Sequence, residues 1–434
     1  MRENIEIPVV LKEQAKKLKE YYGKHYPALE PLVEQCFLNT METTVKQLDD
    51  GSYFVITGDI PAMWLRDSAA QVRPYVRFAA QDKELQDILE GVISKQADLV
   101  CADPYANAFN ETYNGLTAGY EDVVEENPHV WERKYEVDSL CAPLYLAHVY
   151  WKTTGITHIF TQKFKQMIQE IVHVFTVEQD HTNSHYYFQR YHCVKTDTLP
   201  NKGKGRPVNV TGMTWSGFRP SDDCCKFGYL IPSNMMAVVA MKYAEEICRT
   251  CYQDEKLAKE CARLAEEMED GIKDYAIVDH PVYGKIYAFE TDGFGNYNLM
   301  DDANSPSLLA MPYLGYCDKE DPMYQRTRKF VLSEDNPFYY SGSKAAGVGS
   351  PHTPAGYVWH IGIVMQALTS TDREEILNCL EMLSRTHAET NYMHEAFDPN
   401  APENFTRPWF AWANTLFAEL LVNLMEEDYF CKAE

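Results

Sequence analysis

Residues 137–175, VDSLCAPLYLAHVYWKTTGITHIFTQKFKQMIQEIVHVF, hold two runs of apolar side chains at helical spacing, separated by a glycine. The periodicity predicts one helix over 137–153 that ends at Gly155. It predicts a second over 157–177, with Ile159, Phe160, Phe164, Ile168, Ile171 and Phe175 on its apolar face. So short a link makes the two helices antiparallel neighbours. On either side the pattern gives way to long irregular stretches, 100–135 and 178–232. The unit is helix, short turn, helix, long loop.

The unit recurs in both directions. Toward the N-terminus, helices 68–80 and 82–99 are almost continuous and follow loop 49–67, which helices 9–22 and 28–48 precede. Toward the C-terminus, helices 233–249 and 254–273 lead to loop 274–304, and helices 305–315 and 322–332 to loop 334–355. Helices 356–369 and 373–386 lead to loop 388–407, and a last helix spans 408–426. Strand-like segments lie inside the long loops, at His185–Tyr191 and Val282–Phe289. Alternate connections of up-and-down helices lie at opposite ends, so the short links share one end and the long loops the other. Loops longer than about 15 residues are usually functional. The expected fold is all-α: an (α/α)6 barrel with a site in the mouth formed by long loops and short β-hairpins, closed by the last helix packing on an early one. No low-complexity or Pro/Ser-rich linker divides the chain, so residues 1–434 read as one domain.

The formal net charge of −24 argues against nucleic acids and anionic membranes as partners and favours neutral or cationic ligands. No run of about 18 apolar residues marks a membrane span. The N-terminal stretch Met1–Ile7 has no apolar core of a secretory signal and leads into the lysine-rich segment Lys12–Tyr22. The twelve cysteines, among them Cys36, Cys141 and Cys379 on apolar helix faces, then read as reduced, buried thiols of a cytoplasmic protein. Cys248 and Cys251 form a lone pair without the partners a zinc site needs, and Cys224 and Cys225 read as packing. The sequence assigns no oligomeric state.

The residues with chemical character fall on the long loops. Residues 58–68, GDIPAMWLRDS, bring Trp64, Arg66 and Asp67 to the start of a helix for which Ser68 is the expected N-cap. An Arg beside an Asp offers donors and an acceptor to neighbouring hydroxyls of a sugar ring, and a Trp offers a face to its C–H surface. The second loop adds Asn107, Asn110, His129, Trp131, Arg133 and Glu136, with Asp138 just inside the next helix. The third carries Trp215, Arg219, Asp222 and Asp223 within TWSGFRPSDD, 214–223. The fourth has Asp292, Asp301, Asp302 and Asn304, the fifth His352 and Thr353. The sixth has His394, Glu395, Phe397, Asn404, Arg407 and Trp409. Together this is the chemistry of a carbohydrate pocket. Taken singly, each residue has a plainer reading: Arg66–Asp67 as a loop pin, Asp302 and Asn304 as helix caps, Trp131 and Trp412 as core, His129 and His352 as satisfied loop histidines. The alternating spacing of an EF-hand is absent, and neither a metal nor a cofactor is expected.

Cleaving a glycosidic bond takes one carboxyl group that stays protonated and one that stays ionised. Asp222–Asp223 is a suitable setting for the acid, and Glu395, between His394 and Ala396–Phe397, for the base. The residue pattern equally permits Asp67, Glu136, Asp138 or Asp302 in either role. Competing readings are a phosphorylase or glucosidase on the same barrel, and a non-catalytic sugar-binding protein. A phosphorylase needs a phosphate pocket, which the acidic loops disfavour. Binding alone needs no pair of carboxyl groups on separate loops.

Four motifs narrow the choice. GDIPAMWLRDS at 58–68, GFRPSDD at 217–223, YLIPSNM at 229–235 and HEAF at 394–397 resemble glycoside hydrolase family 125, the exo-α-1,6-mannosidases, in order and over essentially the whole length. The resemblance implies an (α/α)6 barrel and metal-free, inverting hydrolysis of non-reducing terminal α-1,6-linked mannose from an α-mannoside oligosaccharide. It implies Asp222 as the acid, with Asp223 the rival, and Glu395 as the base. An inverting pair stands about 6.5–9.5 Å apart, against about 5–5.5 Å for a retaining pair. Arg66 and Asp67 are then expected to hold the terminal sugar. Trp64, Trp215 and Trp409 are candidate aromatic walls. Asp138, Arg219, Asp302, Asn304, His352 and Arg407 are candidate hydroxyl contacts.

Overall fold

The computed structural model describes residues 5–431. Residues 1–4 and 432–434, which include the start of the Met1–Ile7 stretch and both ends of the expected 1–434 domain, lie outside the described residues. Twelve α-helices of eight residues or more are joined by small antiparallel sheets of two or three short strands. They are α1 (Val9–His25), α2 (Glu30–Thr43), α3 (Leu65–Val72), α4 (Lys83–Ala102), α5 (Val137–Thr154) and α6 (Gln162–Glu178), followed by α7 (Ile231–Thr250), α8 (Glu255–Tyr275), α9 (Pro322–Val331), α10 (His360–Thr369), α11 (Arg373–Ser384) and α12 (Ala411–Glu426).

The helices fall into two sets that differ in how they begin. Five of the six helices after short links start on a side-chain cap, α2 being the exception. Asp82 accepts from Leu85 N, Thr161 from Phe164 N, Asp254 from Leu257 N, Asp321 from Met323 and Tyr324 N, and Asp372 from Glu374 N. Each satisfies part of the N-terminal row of unpaired N–H groups. Helices after long loops have no such cap; the residues before α3, α5, α7, α10 and α12 are Trp64, Glu136, Leu230, Trp359 and Phe410. Their first N–H groups are spent on neighbouring loops instead. Leu65 N donates to Asn107 O (3.1 Å), Ile231 N to Phe289 O (2.9 Å) and Ala411 N to Thr57 O (3.1 Å). Val137 N donates to Ser216 Oγ (3.3 Å).

The starts of the second set are therefore stitched to one another. Met63–Trp64 pairs with Ala108–Phe109, which pairs with Val130–Glu132 ahead of α5. Tyr229–Leu230 pairs with Glu290–Thr291, and Val358–Trp359 with Ala396–Phe397. These helices pack side by side, α3 against α5, α5 against α7, α10 against α12 and α12 against α3. Outside them α4 packs on α6, α6 on α8 and α11 on α10. The last helix packs on α2 as well as α3, as the sequence reading expects. One hydrophobic cluster runs through both sets, and a small second one, Ala62, Trp64 and Ala108, sits among the loops.

Several expected elements change. The segment 305–315 forms successive turns rather than a helix, and Asp301, not Asp302 or Asn304, caps it by accepting from Leu308 N (2.8 Å) and Leu309 N (3.0 Å). Ser68 is not an N-cap: α3 already begins at Leu65, and the Ser68 hydroxyl donates back to Leu65 O. The strand expected over His185–Tyr191 shrinks to Gln189–Tyr191, and Val282–Phe289 resolves into the hairpin Ile277–His280/Gly284–Tyr287. Helix 28–48 stops at Thr43, and Val45–Gln47 becomes a strand. All twelve cysteines are free, but only Cys36, Cys141, Cys225, Cys248, Cys261 and Cys379 are buried; the other six, Cys224 and Cys251 among them, keep some exposure, so the expectation of buried thiols holds for half of them.

Gly58 joins the first long loop to the last. It bridges Phe410, and Asp59 N donates to Trp409 O (3.1 Å). Its φ is +134°, and a Cβ there would lie 2.3 Å from Trp409 O. Gly58→Ala is expected to cost about 2–4 kcal/mol, from strain plus the displaced strand contact, measured by urea denaturation against wild type.

Candidate active site

The starts of α3, α10 and α12 and five of the long loops form a pocket of about 280 Å³. That is near the lower end of the roughly 300–1,000 Å³ usual for ligand sites. Trp64, Arg66 and Asp67 line it from the first loop, Ser221 and Asp222 from the third, and Asn304 from the fourth. His352 and Trp359 line it from the fifth, and Glu395, Arg407 and Phe410 from the sixth.

Arg66 lies at the bottom, in the first turn of α3, and is buried. Nη1 donates to Glu136 Oε2 (2.6 Å) and Asp138 Oδ2 (2.9 Å), while Nη2 stands 3.4 Å from Asp67 Oδ2. Asp67 and Asp138 occupy the first turns of α3 and α5, where the helix dipole favours negative charge. Burial pushes the Asp67 carboxyl up to about 6, against the pull of Arg66 and Arg407. Several buried polar atoms here have no hydrogen-bond partner in the protein: Trp64 Nε1, Arg66 Nε, Asp67 Oδ2, Asp223 Oδ2 and Asn304 Oδ1. Left unpaired, each costs about 1–3 kcal/mol. A set of both donors and acceptors suits a polyhydroxylated ligand.

Asp222 stands on the wall with φ +67°, a left-handed conformation that Asp tolerates better than most residues. Asn107 Nδ2 donates to its Oδ1 (3.1 Å), and Lys134 Nζ to its carbonyl oxygen (2.9 Å). Burial raises the Asp222 carboxyl, but Lys134, Arg66 and a hydrogen bond with Glu136 outweigh it and hold the group below the usual range. Asp223 turns the other way and meets His352 Nδ1 at 3.2 Å. Glu395 receives Thr406 Oγ1 on Oε2 (2.9 Å) and has Arg407 Nη1 3.6 Å from Oε1. Arg407 in turn grips Asp59 through Nε (3.0 Å).

The structure thus brings Trp64, Arg66, Asp67, Asp222, Asn304, His352, Glu395 and Arg407 to one pocket. Five expected contacts do not line it. Asp138 lies behind Arg66, also held by Ser233 Oγ (3.1 Å). Trp215 is core, its ring stacked on His181 at 3.6 Å in a slot left by Gly205, Gly217 and Gly228. Arg219 pins the third loop to the fourth through Glu290 (2.7 Å), and Asp302 accepts from Ser221 Oγ (2.7 Å). Trp409 spends its carbonyl on Asp59 N. Thr57, Ile60, Ser221, Trp359 and Phe410 on the lining, and Lys134 beside Asp222, escape the sequence reading. Trp359 alone had a signal: Val358–Trp359 before α10 repeats the place of Met63–Trp64 before α3.

A pocket with polar lining at the loop end of a mostly helical chain, with carboxyl groups from separate loops, is that of a glycoside hydrolase. The sequence profile of the family described as metal-independent alpha-mannosidase (GH125) matches residues 26–422. The chain belongs to that family. It is 39% identical over 422 residues to the meiotically up-regulated gene 157 protein of Schizosaccharomyces pombe, covering 91% of this chain and 82% of that one. It is 47% identical to a metal-independent alpha mannosidase of Streptococcus pneumoniae solved as a non-productive substrate complex with α-1,6-mannobiose, with a TM-score of 0.94 over 96% of this chain and 98% of that one. Glucoamylase from Saccharomycopsis fibuligera, 12% identical with a TM-score of 0.58 over 97% and 96% of the two chains, shares the fold alone.

His352 stands between carboxylates. Desolvation lowers its pKa, but the bond to Asp223 and the charges of Glu395 and Asp222 push it up to about 9. The folded state therefore holds this proton more tightly than the unfolded chain. The resulting stabilisation is complete below about pH 6.5 and is lost as pH rises to about 9. In denaturation titrations, wild type is expected to lose more stability than His352→Asn across that window.

Proposed function

We propose that this protein is an inverting exo-α-1,6-mannosidase that releases non-reducing terminal mannose from short α-1,6-linked mannosides or N-glycan-derived glycans. The observation that carries this reading is that Asp222 and Glu395 face one pocket from different loops, over a floor made by Arg66 and its carboxylates. A pocket closed at its floor admits a chain end and not a chain middle, which suits exo action. The α-1,6 linkage rests on family membership and on the disaccharide in the pneumococcal complex.

In this mechanism Arg66 and Asp67 hold hydroxyls of the terminal ring, and Trp64 and Trp359 flank its apolar surface. Asn304, His352 and Arg407 supply further polar contacts. Asp222 protonates the glycosidic oxygen while Glu395 takes a proton from the water that attacks C1 on the opposite face. Thr406 and Arg407 keep Glu395 aimed at that water. The reaction draws on no metal or cofactor, in keeping with the family's description.

The two helix sets, with α12 packed on α2 and α3, support closure as an (α/α)6 barrel, and the shared hydrophobic cluster supports a single domain. Among the described residues no helix is long and apolar enough to cross a membrane. We place the protein in the cytoplasm on its twelve free cysteines. The charge of −24 speaks against nucleic acid and anionic membranes as partners.

The test is proton NMR of the anomeric region during hydrolysis of α-1,6-mannobiose. Wild type is expected to release β-mannose first, and Glu395→Gln to lose at least about 10³-fold in kcat, within the range of general-base loss. Early α-mannose would instead mean retention, and absence of hydrolysis would overturn the linkage.

A further inference from the structure

Asp222 must hold a proton to act as the acid, yet its surroundings favour its charge. Lys134 and Arg66 face it, and so does His352. The carboxyl of Glu136 is its neighbour across the Asn107 amide. Two carboxyl groups sharing one buried site do not both ionise readily, so one proton rests on the pair. Asn107 Nδ2 underlines how close they lie: it stands 3.1 Å from Asp222 Oδ1 and 3.4 Å from Glu136 Oε1.

The environment of Glu136 decides where the proton rests. The residue is fully buried at the start of α5, with Asp138 beside it and Asp222 against it. Glu132 shares the Asn107 amide with both. Arg66 Nη1 and Ser139 Oγ (2.9 Å) both approach Oε2, which leaves Oε1 as the oxygen toward Asn107 and Asp222. Burial drives the Glu136 carboxyl well above the ordinary range, against the pull of Arg66, and Asp222 and Asp138 raise it further.

We propose that Glu136 stores the proton that Asp222 delivers. In the free enzyme Glu136 is protonated and Asp222 ionised. As the bond from C1 to the leaving oxygen breaks, Glu136 passes its proton to Asp222, and Asp222 delivers it to that oxygen's electron pair. Glu136 is then ionised with Arg66 Nη1 already 2.6 Å away to stabilise it. The attacking water bonds to C1 and gives its proton to Glu395. Both sugars leave neutral, Glu136 has lost one proton and Glu395 has gained one, and exchange with solvent restores the start. Glu136 acts through Asp222 and does not touch the sugar.

The inference rests on Asp222 being the acid, and the experiment separates the two ideas. Wild type, Asp222→Asn and Glu136→Gln are assayed on α-1,6-mannobiose and on 2,4-dinitrophenyl α-mannoside, whose leaving group needs no acid. Asp222→Asn is expected to lose mannobiose turnover and to keep the activated substrate; equal loss on both overturns the acid assignment itself. With that assignment standing, Glu136→Gln is expected to lower kcat on mannobiose by about 10²–10⁴-fold, with KM little changed and a displaced alkaline limb. Its loss on the aryl mannoside should stay under about tenfold. Equal loss on both substrates, or a wild-type pH profile, overturns the proton store. If melting shows Glu136→Gln unfolded, Glu136→Asp carries the same test: a leaving-group-dependent loss supports the proposal and a uniform one overturns it.

Discussion

Arg66 carries a positive charge to the buried floor of the pocket, and much of the surrounding architecture serves to keep it there. Taking a guanidinium out of water is costly unless its charge and its N–H groups are matched, and removing one partner of such a pair typically costs about 3–5 kcal/mol. Here the partners come from two helix starts: the charges of Asp67 beside it on α3 and Asp138 at the head of α5, with Glu136 Oε2 accepting from Nη1. That requirement fixes how α3 and α5 must pack and how deep the first loop must reach. The same cluster sets the electrostatics of Asp222, so the floor of the pocket and the chemistry on its wall are one charge system.

A single device positions the rest. Helices that start at the long-loop end have no side-chain caps, and α3, α5, α7 and α12 give their first N–H group to a carbonyl or hydroxyl of an adjacent loop. Short strand pairs beside these contacts hold Trp64 and Trp359 at matching places. The irregular loops are thereby held at short intervals, which lets polar side chains stay unpaired within the protein without the loops collapsing onto them. Five of the helices that start at the other end use Asp or Thr caps.

This division explains what could be read in the sequence. Helical periodicity and loop length pointed to all but one of the helix pairs and to the end that bears the site, because both follow from local spacing; 305–315 is the exception. Asp82, Asp254 and Asp372 announce their helices through ordinary capping chemistry. Ser68 misled for the same reason: capping rules assume a helix end open to solvent, and α3 begins against Asn107 O. The loops bearing Trp215 and Arg219 were legible, but which side chains point inward was not. The indole turns into the core because Gly205, Gly217 and Gly228 leave room for it, and Arg219 is claimed by Glu290, seventy-one positions away. Likewise Phe410 and Ile60 read as plain apolar residues, and only tertiary packing brings them to the pocket.

The contacts that seal the first loop to the last also bear on how the protein comes into being. Arg407 reaches Asp59 across 348 positions, and the strand contact at Gly58 is completed by Phe410. A chain made from its N-terminus has Trp64, Arg66 and Asp67 early, but their wall and Glu395 arrive only near the end of synthesis. Contacts this remote in sequence form late and slowly. A chain that stops short of the sixth loop lacks Glu395, Arg407 and Phe410, and with them one side of the pocket.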